Sequence, residues 1–277
     1  MPELPEVELI SRSLDALVRG KRVIEAELLR ERLAPHTGTE EFSRSLRSAS
    51  INFIHRRGKH ILFDLSNHKT LIVHLRMSGR FSLLDAEDEN PKFTHAILYF
   101  DDELRLVFDD QRHFGYMRIV PTADLFMTRE LAKLAPEPFS DEFSFEYLRQ
   151  TLRSSRRSLK EVLVDQTKVC GLGNIYACEA MFAAGINPKV PAARLSKKRS
   201  ARLYDSIRAV LDLALSHAAG LDVDPTNLEG GYFSAGSTNG WFVYDRETEP
   251  CKICSTSIVR LKQGGRSTYY CKTCQRR

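Results

Sequence analysis

The chain opens MPELPEVE, with a proline directly behind the initiator methionine and a glutamate beside it. If Met1 is removed, Pro2 presents a free secondary amine. An α-amino group titrates at about 8, well below lysine, so an appreciable fraction is uncharged at neutral pH. Such an amine can attack a sugar C1′ or an aldehyde. The iminium that results has no N–H proton to shed, and its lasting positive charge is an electron sink for breaking a neighbouring C–O bond. Glu3 stands beside the amine and can shuttle protons. The same residues also read as a rigid start to a helix, and the pair alone does not separate the two readings.

Other stretches carry chemistry at longer range. RRGK, residues 56–59, sets three cations around a glycine inside an apparent strand hairpin. Lys59 there is either a phosphate contact or acid, or part of a solvated turn. HLRMSGR puts His74 and Met77 just before a turn glycine, where strand packing is the competing reading. DDQRHFGYM holds Arg112 and Phe114 beside Gly115. On an exposed loop they would form a wedge, the ring entering a base stack and the guanidinium pairing with an orphaned base. A Phe buried at a strand end is the alternative. GLGN, residues 171–174, opens a helix whose N–H groups suit a phosphate, with Asn174 read as its N-cap.

The last segment is the most specific. Cys251, Cys254, Cys271 and Cys274 form CKIC and CKTC with sixteen residues between the pairs. That spacing is the signature of a structural four-thiolate Zn2+ site, one ion per chain. Disulfides are disfavoured in a reducing compartment, and so short a segment needs the metal to fold. From Cys251 to Arg277 there are seven Lys or Arg and no Asp or Glu, a bias that suits phosphate contact. Arg266 falls near the tip of the hairpin the metal would hold. Cys170 and Cys178 lack a pairing pattern and read as small buried side chains.

These residues need elements to place them. A first helix is expected from about Pro5, with Val7, Ile10, Leu14 and Leu17 at helical spacing and Gly20 as its stop. RVIEAELL, INFIHRRGKHILFDLS, TLIVHLRMSGRFSLL, THAILYFDDELRLVFDD and YMRIVP then read as strands with little helix between them. Successive strands of this kind imply antiparallel sheets in a sandwich or flattened barrel. After LAPEPFSDEF the pattern turns helical: FSFEYLRQTL, SLKEVLVDQ, the run after GLGN ending at Gly185, and KKRSARLYDSIRAVLDLALSHAAG. LEGGYFSAGSTNG is expected to be a loop. At 277 residues with net charge +5, 42% hydrophobic and 28% charged, the chain has the composition of a soluble cytoplasmic protein leaning toward a polyanion. It shows no membrane-length apolar run and no signal-peptide pattern.

PELPEVE, RRGK, H-L-x-M-S-G, D-x-x-R-x-F-G, D-Q-x-x-x-x-G-L-G-N-I-Y, A-G-I-x-P and a terminal four-Cys finger with R-x-T-x-x-C-x-x-C-Q occur here in one order. Together they resemble bacterial formamidopyrimidine-DNA glycosylases from Pro2 to Gln275. The resemblance implies an α+β multidomain chain: an N-terminal helix with a two-layered antiparallel β-sandwich (1–133), a helix–two-turns–helix domain (143–225), a lesion-covering loop (226–245) and a zinc β-hairpin (246–277). It implies excision of 8-oxoguanine and formamidopyrimidines from double-stranded DNA, then strand cleavage at the abasic site by a monomer. Carried over by residue, Pro2 is the Schiff-base nucleophile, Glu3 the proton donor, Lys59 the donor linked to β-elimination and Arg266 the phosphate holder serving δ-elimination. Met77, Arg112 and Phe114 fill the gap left by the flipped nucleotide. His74, His95, Arg156, Asn174 and Tyr176 contact DNA.

Departures from the family pattern lie at Gln111, at Ser155 between basic neighbours, in KFTHA around His95, and above all across LDVDPTNLEGGYFSAGSTNGWFVYDRE. The last bears on base preference. Two rival readings accompany the main one. The first is the sister enzyme of oxidised pyrimidines, against which Leu4 stands. The second is a non-catalytic zinc-dependent DNA-binding protein, against which intact Pro2, Glu3, Lys59 and Arg266 stand.

Overall fold

The computed structural model describes residues 1–218 and 240–276. The anticipated loop at 226–245 falls largely on residues 219–239, outside the described part. In chain order the elements are α1 (Leu4–Val18), β1 (Val23–Leu28), α2 (Thr39–Leu46), β2 (Ile51–Arg57), β3 (His60–Leu65), β4 (Lys69–His74), β5 (Gly79–Leu84), β6 (Thr94–Phe100), β7 (Arg105–Asp110), β8 (Tyr116–Pro121), α3 (Phe145–Arg153), α4 (Leu159–Leu163), α5 (Asn174–Ala183), α6 (Lys197–Ala218), β9 (Val259–Gln263) and β10 (Arg266–Tyr270).

Each anticipated strand run forms strands. They make two four-stranded antiparallel sheets, ordered β1-β6-β7-β5 and β2-β3-β4-β8. Phe63 of β3 meets Phe81 of β5 across the layers at 5.7 Å, and Phe108 of β7, beside Phe81 in its own sheet, joins them at 5.2 Å, so apolar faces of both sheets share one core. Their burial removes the largest apolar area per residue that the strands offer. Helix α2 was not anticipated. Its sequence TEEFSRSL is mostly polar; Phe42 and Leu46, one turn apart, are its apolar residues in the core, with Ser45 buried beside them.

Helix α1 begins one residue earlier than expected. Glu3 is its N-cap and pairs with Glu6 in a reciprocal capping box, Glu3 N–H donating to Glu6 Oε2 at 2.8 Å. Pro5 occupies the first turn, where its missing N–H costs nothing.

Residues 1–132 form one compact unit; residues 133–217 with 240–276 form a second. In the second, α5 ends where Gly185 was expected to stop it. Gly185 takes φ +66°, and Ile186 N–H reaches back to Met181 O at 2.9 Å, a Schellman closure. The β9–β10 hairpin completes this unit. Among the described residues no helix is long and apolar enough to cross a membrane.

Candidate active site and nucleic-acid interface

Pro2 and Glu3 are buried at the start of α1. Two hydrogen bonds fix how α1 lies on the sheet: Asp15 Oδ1 accepts Ile54 N–H at 2.7 Å, and Glu8 Oε2 accepts Arg56 Nε at 2.7 Å. Moving toward the helix start thus moves along β2 toward its turn, and the same direction carries residues 2–3 toward residues 57–59. Gly58 makes that turn at φ +61°. Lys59 is 6% exposed, so it does not belong to a solvated turn. A buried ammonium needs compensating partners, which makes this position costly for packing alone.

Two histidines back this corner. His60 and His74 meet edge-on at 4.7 Å. Burial pulls the His60 imidazole down to about 4 and holds His74 well below its ordinary range. His74 Nδ1 accepts Arg76 N–H at 3.0 Å and its ring is 8% exposed. Both rings are therefore neutral at pH 7.

The loop that carries Arg112 and Phe114 is organised by a residue that its sequence context does not single out. Asp110 Oδ1 accepts Ser78 Oγ at 2.5 Å and Arg112 N–H at 3.2 Å, and Oδ2 accepts Gly115 N–H at 2.6 Å. Burial pushes this carboxyl up, but these hydrogen bonds outweigh it and hold Asp110 below the usual carboxylate range. A Cβ at Gly115 would lie 2.8 Å from Phe108, so the loop backbone seats directly on the core. The result is an exposed tip. Phe114 is 53% exposed, with the Arg112 guanidinium 5.3 Å from its ring centroid, and Met77 is 46% exposed. The buried-Phe and core-Met alternatives do not hold. His95, by contrast, is 4% exposed and its Nε2 is already engaged by His113 Nδ1 at 2.9 Å.

In the second unit, Gly173 and not Asn174 is the N-cap of α5. Asn174 is the first helical residue and its amide is used otherwise. Its Oδ1 accepts buried Lys160 Nζ at 2.5 Å, and its Nδ2 donates to Ser267 O at 2.9 Å in the hairpin. Gln166 folds the GLGN loop, donating to Leu172 O at 2.7 Å and accepting Gly171 N–H at 2.9 Å. Glu179, 4% exposed, accepts the N–H groups of Phe242, Val243 and Tyr244, each at 2.9 Å. Lys160 and Glu179 were not anticipated, polarity beside apolar residues being their one sequence signal, whereas Gln166 is the glutamine of the D-Q-x-x-x-x-G-L-G-N-I-Y motif. Arg156 is exposed; Tyr176 is 2% exposed, its ring edge-on to Trp241 at 5.5 Å.

The four finger cysteines hold all their Sγ atoms within 4.8 Å of one another, with Cys251–Cys274 at 3.9 Å and Cys254–Cys271 at 3.5 Å. A tetrahedron with Zn–S bonds of about 2.3 Å has edges of about 3.8 Å, so the donor set fits one Zn2+. No other group of three or more such ligands gathers among the described residues. Cys170 and Cys178 are buried, as expected of packing thiols. Arg266 opens β10 beside the Gly264–Gly265 turn and is exposed. Gln263, its register partner, donates to Pro188 O at 3.3 Å.

Comparison with known proteins matches three family models: the formamidopyrimidine-DNA glycosylase N-terminal domain over residues 1–117, the H2TH domain of the same enzymes over 134–223, and the zinc finger found in FPG and IleRS over 249–277. A formamidopyrimidine-DNA glycosylase of Bacillus licheniformis is 39% identical across the whole of both chains. Among solved structures, Lactococcus lactis Fpg bound to abasic-site DNA superposes with a TM-score of 0.90 at 32% identity, covering 99% of this chain and all of the other. The wild-type Lactococcus protein with DNA containing N7-benzyl-Fapy-dG gives 0.91 at 32% identity, with full coverage of both.

Proposed function

This chain belongs to the formamidopyrimidine-DNA glycosylase family, and from that membership we propose how its residues divide the work. It is a DNA glycosylase and abasic-site lyase of base excision repair; its partner is DNA carrying oxidised bases or abasic sites, and its cofactor is one structural zinc ion. Pro2 attacks C1′ of the extruded nucleotide. The glycosidic C–N bond breaks with Glu3 supplying a proton, and the iminium so formed withdraws electrons as the 3′ and then the 5′ phosphate leave by β- and δ-elimination. Lys59 serves the first elimination, and Arg266 grips the adjacent phosphate and serves the second. Met77, Arg112 and Phe114 fill the vacated stack, offsetting an unstacking cost of a few kcal/mol. Arg156 and Asn174 contact DNA, whereas His74, His95 and Tyr176, all buried, support the surfaces of their own units from within. The enzyme works as a cytoplasmic monomer, with the finger from residue 246 acting as the carrier of Arg266.

The observation that carries this assignment is the capped start of α1, tied by Glu8–Arg56 and Asp15–Ile54 toward the turn that buries Lys59. Nothing in a purely binding protein requires a proline amine and a buried lysine in one corner. Borohydride trapping on an abasic-site duplex tests it: a covalent adduct mapping to Pro2 is expected, and an extra residue ahead of Pro2 abolishes it. Active enzyme retaining Met1, or no adduct at all, overturns the covalent route. Parallel excision assays on 8-oxoguanine, formamidopyrimidine and thymine glycol check the purine preference.

A further inference from the structure

The Arg112–Phe114 tip contains a residue with no assigned task. His113 lies between the guanidinium and the ring and adopts φ +60°, a left-handed conformation that histidine and asparagine tolerate better than most side chains. Its N–H returns to Asp110 O at 3.2 Å, so the turn reverses at this residue and its side chain points back toward the sheet while both neighbours are exposed. There its ring lies nearly coplanar with that of His95, the centroids 5.0 Å and the planes 12° apart, and Nδ1 lies 2.9 Å from His95 Nε2. Phe93 closes the ring's edge at 5.9 Å. His95 itself is locked in β6, its carbonyl accepting the N–H groups of Leu29 and Arg30 at 2.9 and 3.2 Å.

We propose that His113, through its hydrogen bond to buried His95, is the positioning residue of the wedge, holding Arg112 and Phe114 in the arrangement that enters the stack. The proposal rests on the reading of Arg112 and Phe114 as the wedge. Asp110 fixes the two ends of the loop through the backbone, and the His113–His95 bond anchors the side chain at its apex.

The anchor has a chemical limit. One bond between two imidazoles needs one proton between the facing nitrogens, which the neutral pair and the singly charged pair both provide. If both rings are cations, both facing nitrogens carry N–H and the bond is lost. The groups that bear on His95 are Asp109 and Asp110 from β7, Arg30 from the segment after β1, and His113 itself; burial, the largest effect, disfavours a charge on it. The wedge is therefore set at neutral pH and released in acid.

Stopped-flow fluorescence of a duplex with 2-aminopurine beside the lesion reads wedge insertion directly. His113→Asn keeps a hydrogen-bonding nitrogen at the Nδ1 position and the left-handed backbone; His113→Gly keeps only the backbone. The Gly variant is expected to insert roughly tenfold more slowly than wild type, the Asn variant within about twofold. On acidification the wild type loses rate, whereas the Asn variant, whose amide can turn to accept from a protonated His95, does not. Phe114→Ala, which must be slow, is the control. A Gly variant as fast as wild type while Phe114→Ala is slow overturns the proposal, as does an Asn variant that loses rate in acid like wild type. A fast Phe114→Ala sinks the wedge reading itself, and this proposal with it.

Discussion

At the residue scale, burial decides which side chains can carry charge. His60 follows Lys59 directly, and its Nδ1 finds no hydrogen-bond partner among the described residues. Its imidazole is held near 4, whereas in the unfolded chain it takes up a proton at about 6.5. Between these values the unfolded state binds the proton and the folded state does not. Stability is thus complete above pH 6.5 and falls as pH drops toward 4, by about 3 kcal/mol for this group. His60→Phe should flatten that acid slope, as read by urea melts at pH 7 and pH 4.5; an unchanged slope would mean that the ring is not buried neutral. The same neutrality keeps two further cations out of a corner that Lys59 already shares with Arg57 and Arg76.

At the element scale, the β9–β10 hairpin depends on the metal. Its strands are five residues each and β9 buries none of its side chains fully, too little apolar area to order the segment alone. Four thiolates within 4.8 Å of one another need a divalent cation to offset their charge. Chelation, or Cys254→Ser, should abolish the hairpin's near-ultraviolet dichroism and strand nicking together. Zinc-free protein that still completes δ-elimination would remove Arg266 from the mechanism. The bonds from Asn174 and Gln263 to either side of Arg266 show why the hairpin has a fixed seat on its own unit: Ser267 O and Pro188 O are each satisfied by a side-chain amide.

At the scale of the whole molecule, a net charge of +5 is modest, and affinity for DNA must come from where the cations lie. A cation that neutralises a phosphate releases a counterion, so deleting that cation should make binding less dependent on salt. Arg156→Ala is expected to reduce the slope of log affinity against log salt by about 1, without changing discrimination between a lesion and an ordinary base pair. Fluorescence anisotropy across a salt series measures both; a constant slope would show that Arg156 touches no phosphate.

Much of this protein is readable in its order of residues. Runs rich in β-branched and aromatic residues mark the strands, because such side chains pack well on a pleated sheet, and β3 to β7 are buried along most of their length. Cys-x2-Cys pairs mark the zinc site, because ligand spacing is local. Pro2, Lys59, Arg112, Phe114 and Arg266 are visible as residue types suited to the chemistry. What the order cannot contain is the set of long-range hydrogen bonds that put them to use. Asp110 meets Ser78, Glu179 meets residues 242–244, Lys160 meets Asn174 and His95 meets His113 across gaps of 14 to 65 positions, and no local pattern names the partner of any of them. Helix α2 and the true cap of α5 escape the sequence for a related reason: tertiary burial and a side chain recruited from elsewhere outweigh local preference. Local periodicity determines elements; only the packed chain decides which buried polar groups must find one another, because an unpaired one costs more than any propensity can return.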